Sequence, residues 1–326
     1  MTGPDPATAA IRLAVRRVLA ECLPGEAVLV ACSGGADSLA LAAATAFEAP
    51  HAGLRAGAVV VDHGLQDGSA QAAQVAAETC RAVGLHPVLV VRTEVTLESG
   101  GPEAAARAAR YAALTAAADG QGARLVLLGH TRDDQAEQVL LGLARGAGAR
   151  SLAGMPRARD RFRRPLLGLT REQTRASCAE LGLRWWEDPM NEDPAFARVR
   201  ARRALLDLER DLGPGLSAAL ARSADQLRED ADHLDALARQ AVAQIGPGPW
   251  EVGELAALPR AVRTRVWRLL TVAAGAPAGQ VSTRHTEACD ALLTRWHGQG
   301  PVSLPGPLLA RRAGGRVSID VPDPVE

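Results

Sequence analysis

Short apolar runs alternate with longer amphipathic stretches from residue 11 to about residue 170. Each apolar run has the length of a buried strand, and each longer stretch has apolar positions at helical spacing. Strands are predicted at residues 27–32, 58–62, 87–91 and 124–128. Helices are predicted near residues 37–47, 69–83, 102–119 and 132–145. This alternation is typical of an α/β fold, in which helices flank a parallel sheet.

A different pattern follows the Gly/Pro-rich segment at residues 211–215. Leucines recur on one face of a long amphipathic helix from residue 216 onward, and two more helices are predicted near residues 260–274 and 283–297. Residues 308–319 have the pattern of a hairpin. Because 326 residues exceed the usual size of one hydrophobic core, we predict two domains, at residues 1–213 and 214–326. The second is predicted to be smaller and mainly helical.

The composition, 47% hydrophobic and 23% charged residues, is that of a soluble globular protein. All 37 basic side chains are arginine, which excludes a lysine nucleophile or Schiff base. Five dispersed cysteines argue against a zinc site or a disulfide framework and fit a reducing cytoplasm. The sequence has neither a signal-peptide pattern nor an apolar run of membrane-spanning length, so we expect a cytoplasmic protein with no membrane association. Since the net charge is zero, binding of a polyanion would depend on local arginine clusters.

Residues 28–41 pass from an apolar run through a hydroxyl- and glycine-rich turn into an alanine- and leucine-rich helix. Glycines let backbone N–H groups approach an anion, and the positive end of the helix faces the same point. Ser33 and Ser38 add hydroxyl donors, whereas Asp37 would repel a phosphate unless a divalent cation lay between them. The turn therefore predicts a phosphate site with magnesium. An ordinary serine- and glycine-rich turn is the alternative.

Polar residues also follow two other predicted strands, at Asp62-His63 and at Gly129-His130-Thr131. Ligands of open α/β sheets bind beyond the carboxyl ends of the strands, so we expect three loops to converge on one site. The predicted cofactor contacts are Ser33, Gly34, Gly35, Ala36, Asp37, Ser38, Asp62 and His63.

Asp133, Asp134 and Glu137 begin the helix that follows the fourth strand. Their spacing lets them share one helical face. Beside a triphosphate, such acids can hold magnesium or the ammonium group of an attacking amine. Complementing the helix dipole is an alternative that explains the two aspartates better than Glu137. His130 could polarise a group, transfer a proton or cap the helix.

Two arginine-containing regions are candidates for phosphate contact. One helix carries Glu103, Arg107, Arg110 and Tyr111, where a solvated Glu–Arg pair is the alternative to phosphate binding. Residues 157–164 and 198–203 form the densest positive zone of the chain, and phosphate contact is its simplest use. A basic helix that follows an acidic turn is the alternative there.

Several motifs occur together in a characteristic order. They lie at residues 33–38, 61–65, 103–111, 129–137, 143–148, 164–167 and 187–198. In residue types and spacing they resemble the bacterial tRNA(Ile)-lysidine synthetases, a family of pyrophosphatase-loop, ATP-dependent enzymes. The resemblance covers about residues 28–203, and it is weaker in the later region, where residues 302–306 match best.

The resemblance implies an adenine nucleotide alpha hydrolase-like fold and a two-step reaction. ATP would adenylate the C2 carbonyl oxygen of the wobble cytidine in tRNA(Ile) with a CAU anticodon, and L-lysine would then displace AMP. ATP and Mg²⁺ are the implied cofactors, with Asp37 on the metal. The implied catalytic residues are Asp37, Asp133, Asp134, Glu137 and His130, and the implied substrate or tRNA contacts are Arg107, Arg110, Arg145, Arg198 and Arg202.

Two other classes of function remain open from the sequence. One is a different adenylating enzyme on the same fold, such as a tRNA thiolase or an amidotransferase-linked synthetase. The other is a non-catalytic nucleotide- or RNA-binding module, although the uncompensated acids around a phosphate site argue against it.

Overall fold

The computed structural model describes residues 3–62, 64, 68–93, 102–146, 148–188, 190 and 192–321. The chain divides into two compact units, Met1–Gln226 and Leu227–Glu326. The domain boundary predicted after residue 213 stays a prediction. No helix in the described ranges is both long enough and apolar enough to span a membrane.

The first unit is built from alternating strands and helices. Its strands are β1 (Ala27–Cys32), β2 (Arg55–Asp62), β3 (Val88–Arg92), β4 (Ala123–Leu128), β5 (Ala158–Arg159) and β6 (Phe162–Arg163). Its helices are α1 (Pro6–Leu19), α2 (Ala36–His51), α3 (Ser69–Ala82), α4 (Pro102–Gly120), α5 (Arg132–Ala144), α6 (Ala149–Leu152), α7 (Arg171–Glu180) and α8 (Ala197–Leu212). A short 3₁₀ helix occupies Pro165–Gly168.

The strands form one sheet in the order β3-β2-β1-β4-β6-β5. All neighbouring pairs are parallel except β5 and β6. The predicted parallel sheet flanked by helices is therefore confirmed. The chain moves outward from β1 through β2 to β3 and then returns to place β4 on the other side of β1. The gap beyond the carboxyl ends of β1 and β4 is thus the topological switch point, where ligands of such folds bind.

Both faces of this sheet are buried, which is why its strands are continuous apolar runs. Side chains alternate between faces along a strand. Accordingly, Val28 and Val30 of β1 lie in one core cluster with Ile11 and Leu41, while Leu29 lies in another cluster, which includes Leu114.

The second unit combines helices with a small antiparallel sheet. Helix α9 (Leu216–Ile245) includes the boundary between the units, and it is followed by α10 (Val252–Ala257), α11 (Arg260–Ala273) and α12 (Thr283–Thr294). The strands β7 (Trp250–Glu251), β8 (Val302–Leu304), β9 (Leu308–Ala313) and β10 (Arg316–Asp320) pair in the order β7-β10-β9-β8. The predicted hairpin is confirmed as β9 and β10. Trp267, Leu255 and Leu292 are fully buried in the core of this unit.

Candidate active site

The turn between β1 and α2 forms a compact loop held by its own hydroxyl groups. Ser38 Oγ accepts a hydrogen bond from the Ser33 N–H at 3.1 Å and donates one to the Gly35 carbonyl at 2.9 Å. Gly34 has φ of +83°, a conformation that favours glycine. Helix α2 begins at Ala36, and no side chain caps its N-terminus. Its first N–H groups can therefore bind an anion, with the helix dipole favouring negative charge.

Close backbone contacts fix this loop against the end of β4. A Cβ atom on Gly129 would lie 3.1 Å from the backbone of both Asp37 and Ser38, so any other residue at this point would have to push that backbone away by a few tenths of an ångström. From another side, the Trp186 N–H donates to the Gly34 carbonyl at 2.9 Å. The loop is thus held in one position before any ligand binds.

The third predicted loop is described only in part. Asp62, at the end of β2, is buried, and its Oδ1 accepts the Gly64 N–H at 3.0 Å. His63 lies outside the described residues, as does the side chain of Glu103.

Four acidic residues, Asp37, Asp133, Asp134 and Glu137, lie around the Arg171 side chain or its backbone; we call them the acid cluster. Arg171 Nη2 is 2.9 Å from Asp134 Oδ1, and its other nitrogens lie 3.6 Å from Asp37 Oδ2 and from Glu137 Oε1. The Arg171 N–H donates to Asp133 Oδ2 at 2.9 Å. Arg171 was absent from the predicted site, yet it binds every member of the cluster.

The first turns of α5 and α7 are joined around this cluster. Asp134 Oδ2 accepts the Thr131 N–H at 2.8 Å and so closes a capping box at the start of α5. The Arg132 N–H donates at 2.8 Å to the carbonyl of Leu169, just before α7. Both oxygens of Asp134 are therefore bound by protein groups, Oδ1 by the Arg171 guanidinium and Oδ2 by the Thr131 N–H.

Burial and charge act on these acids in opposite directions. For Asp37 and for Glu137, burial is the largest influence, and it raises the pKa. Burial also opposes the charge of Asp134, but the positive charge of Arg171 and the hydrogen bond from the Thr131 N–H outweigh it, and the pKa of Asp134 is lowered. Asp134 is therefore the most firmly ionised of the three.

Glu137 has one oxygen bound and one oxygen without a partner. Oε1 accepts a hydrogen bond from Arg202 Nε at 2.7 Å. The Glu137 side chain is only 3% exposed, so water does not reach Oε2, and this oxygen has no hydrogen-bond partner among the described residues. A buried acceptor left unsatisfied is costly, so Oε2 is suited to a ligand that brings its own N–H groups.

Four positively charged side chains lie close together near Tyr111. We call Arg107, Arg110, Arg164 and Arg198 the guanidinium cluster. Arg107 and Arg164 donate to Tyr111 Oη at 3.3 and 2.9 Å. Burial, followed by the charges of its arginine neighbours, lowers the pKa of Arg110. Within the described part of the chain, neither Arg110 nor Arg164 has a carboxylate at ion-pair distance.

His130 lies between the two clusters. Burial, together with the positive charges of Arg164, Arg110 and Arg198, lowers its pKa to about 3, although Asp134 opposes this. The imidazole is therefore neutral at physiological pH. Its Nδ1 is buried and has no hydrogen-bond partner among the described residues. It can donate or accept one hydrogen bond, but it cannot supply a positive charge.

Most other arginines of the predicted positive zone are held by protein acceptors. Arg161 and Arg163 bind Asp119 and Glu21 at 2.6 and 2.8 Å. Further partners are Asp225 for Arg157, Asp160 for Arg159, the carbonyls of Pro194 and Ala195 for Arg200, and the carbonyl of Glu192 for Arg203. Arg145 is exposed at the end of α5. Arg202 Nε binds Glu137 Oε1 at 2.7 Å, and the predicted RNA contact of Arg202 stays a prediction.

In the described ranges, no group of three or more His, Cys, Asp and Glu side chains could by itself hold a metal ion. Magnesium that also binds substrate phosphates needs only one or two carboxylates. Asp37 fits this requirement because it lies in the first turn of α2, within the loop at residues 33–38 that we call the phosphate loop, and its side chain is about one-quarter exposed.

A phosphate loop at the switch point of a parallel sheet, faced by an acid cluster, defines a nucleotide-dependent enzyme of the PP-loop class. The PP-loop domain model matches residues 8–209, and that of the TilS substrate binding domain matches residues 251–318. The chain belongs to the tRNA(Ile)-lysidine synthase family.

Similarity to individual relatives extends over nearly the whole chain. The tRNA(Ile)-lysidine synthase of Thermobifida fusca is 54% identical, covering 98% of this chain and 99% of the relative. That of Streptomyces coelicolor is 52% identical, covering 97% and 99%. Among solved structures, the U34-tRNA thiolase NcsA from Methanococcus maripaludis shares the fold, with a TM-score of 0.58 and 19% identity over 68% of this chain and 78% of that chain.

Proposed function

We propose that this chain catalyses ATP-dependent formation of lysidine on tRNA(Ile). One observation carries the proposal: Arg171 links Asp37 of the β1–α2 loop to Glu137, whose buried Oε2 has no hydrogen-bond partner among the described residues. A site that activates a carbonyl with ATP and then presents an amine to it needs these two features side by side. The proposal places the protein in the cytoplasm.

In the first step, the C2 carbonyl oxygen of the wobble cytidine attacks the α-phosphorus of ATP, and pyrophosphate leaves. The Ser33 and Ser38 hydroxyls and the N–H groups of the glycine loop would bind the departing pyrophosphate. Asp37 would hold Mg²⁺, which neutralises phosphate charge. Asp62 lies at the end of the neighbouring strand and would contact the nucleoside part of ATP.

In the second step, the ε-amino group of L-lysine attacks C2, and AMP leaves with the oxygen. The ammonium must first lose a proton, and Glu137 Oε2 is the acceptor that fits. Because burial raises the pKa of Glu137, it is a stronger base than an exposed glutamate. Arg202 and Arg171 hold its other oxygen, while Asp133 and Asp134 keep the surroundings negative for the incoming cation.

The guanidinium cluster is the proposed contact for the RNA backbone. A wobble base of the CAU anticodon must be turned out into the pocket, and the phosphates beside it need cationic partners. Arg107, Arg110 and Arg198 would supply these partners, with Arg145 as an outer contact. Neutral His130 would hydrogen-bond to the base or the activated carbonyl and would not act as a cation.

Incubation of the full chain with ATP, Mg²⁺, labelled L-lysine and a tRNA(Ile) transcript tests the proposal. We expect label in the tRNA, together with AMP and pyrophosphate in equal amounts. A transcript in which the wobble cytidine is replaced by uridine is the matched control and should take up none. Lysine transfer that does not need the tRNA, or adenylation of a small molecule in its place, would contradict the proposal.

A further inference from the structure

Helix α7 contacts the start of α2 through a buried hydroxyl that the proposed chemistry does not use. Thr174 is fully buried, and its Oγ1 donates a hydrogen bond to Asp37 Oδ1. One turn further along α7, Cys178 Sγ lies 3.3 Å from the carbonyl of Ala36. The two contacts hold α7 against the first turn of α2, where Asp37 lies.

The hydroxyl distinguishes the two oxygens of Asp37. Thr174 occupies Oδ1. Among the described residues, the one polar group near Oδ2 is Arg171 Nε at 3.6 Å, which is longer than a direct hydrogen bond. Thr174 Oγ1 also lies 2.8 Å from the Arg171 carbonyl, but one proton cannot serve both acceptors, and a carboxylate is the stronger one. Oδ2 is therefore the oxygen that can bind a cation.

We propose that Thr174 is a positioning residue that holds the Asp37 carboxylate so that Oδ2 binds the divalent cation of the proposed ATP site. The inference rests on the metal-binding part of the proposed function. Hydrogen bonds to a ligating carboxylate fix its orientation, and removing such a partner typically weakens metal binding about 10–100-fold. Among the described residues, the hydrogen bond to Asp37 is the only one that Thr174 makes to residues 33–38, so we expect its effect to be confined to the metal.

The test is the affinity of Mn²⁺ for the full chain with α,β-methylene ATP, measured by electron paramagnetic resonance. Thr174→Val keeps the shape but removes the hydroxyl, and we expect it to weaken Mn²⁺ binding about 10–100-fold. Thr174→Ser restores the hydroxyl and should bind Mn²⁺ like the parent chain. Thr45→Val is the matched control, since Thr45 is equally buried, lies on α2 and donates only to the Leu41 carbonyl at 2.8 Å.

Equal Mn²⁺ affinity in the Thr174→Val and Thr45→Val variants would overturn the inference. So would a further loss from Thr174→Val in an Asp37→Asn background, where no effect should remain. If the valine variant does not fold, Thr174→Ala gives the same comparison. Lysidine formation by the parent chain is measured separately. A parent chain that forms lysidine but binds no Mn²⁺ contradicts this inference alone, and one that forms no lysidine contradicts the proposed function.

Discussion

The acid cluster and the guanidinium cluster lie on either side of His130, but they differ in how their charge is balanced. Arg171 and Arg202 bind the acids at distances between 2.7 and 3.6 Å, so that region carries its own counter-ions. In the guanidinium cluster, the described partners of Arg164 are a tyrosine hydroxyl and a carbonyl, and neither bears a charge. We therefore propose that the acid cluster orients small cations. In the guanidinium cluster, Arg110 and Arg164 have no carboxylate at ion-pair distance among the described residues, so we expect an anion from outside the chain to bind near these two side chains.

The largest expected effect is at Asp37, which belongs to both the phosphate loop and the acid cluster. Asp37→Ala should lower tRNA-dependent ATP–pyrophosphate exchange about 100-fold or more, because the carboxylate proposed to hold the charge-neutralising Mg²⁺ is lost. The matched control is Asp119→Ala, which removes an exposed acid paired only with Arg161. Exchange at the parental rate in Asp37→Ala would contradict the assignment of the loop.

A second test separates lysine binding from adenylation. Glu137→Gln and Arg202→Ala should each raise KM for lysine about 10-fold, because a charge-assisted hydrogen bond is lost in both. Glu137→Gln should also slow lysine transfer, because the proposed proton acceptor is lost. ATP–pyrophosphate exchange should change little in either variant. Asp133→Asn is the comparison, since Asp133 binds only a backbone N–H and its effect should be smaller. Equal changes for lysine and ATP would indicate metal binding by Glu137 instead.

The pH dependence of lysine transfer gives a third test. Burial raises the pKa of Glu137, so this side chain becomes protonated at a higher pH than an ordinary glutamate. The protonated form cannot accept a proton from lysine. Single-turnover transfer should therefore fall as the pH is lowered from neutral toward the ordinary glutamate range, and Glu137→Gln should remove that dependence. A parent profile that is flat over this range would exclude Glu137 as the base.

The smallest expected effect concerns the guanidinium cluster. If Arg110 contacts one phosphate, Arg110→Ala should weaken tRNA binding and reduce the slope of log affinity against log salt by about 0.7. Arg159→Ala is the control, because Arg159 is 75% exposed and has an acidic neighbour in Asp160. Nitrocellulose filter binding over a range of salt concentrations measures both. The same slope in the two variants would argue against a phosphate at Arg110.

The sheet could be predicted from sequence because its strands are buried on both faces. A short continuous apolar run between turn residues favours a buried strand over other secondary structures. Strand β1 begins and ends at the predicted residues. Helix α1 was not predicted, although its buried positions, among them Ile11 and Val15, have helical spacing. The short strands β5 and β6 have only two residues each, too few to show a period.

The candidate site was predictable where a motif lies within one loop, and less so where distant elements meet. Ser33 to Ser38 and the acids of α5 could be found from local spacing alone. Arg171 and Thr174 were missed because their role depends on how α7 packs against α2 and α5. Thr170 and Gln173 form a capping box that does mark the start of α7 in the sequence, but it does not indicate what that helix contacts.

Arginine density alone does not show which arginines are available to bind a phosphate. The sequence shows a run of positive charge, but it does not show which guanidinium groups already have acidic neighbours in the fold. Arg161 and Arg163 are close to acids that lie far away in the chain. Arg110 lies outside the densest run, and yet no carboxylate of the described residues lies at ion-pair distance from it.

The contact at Gly129 has a mechanical consequence. Because main chain lies against main chain here, no side chain can rotate to absorb a displacement, and we expect a shift of the β1–α2 loop to press directly on the segment that leads into α5. The spacing between an activated carbon and an approaching amine would be set by the backbone, which tolerates far less error than flexible side chains do.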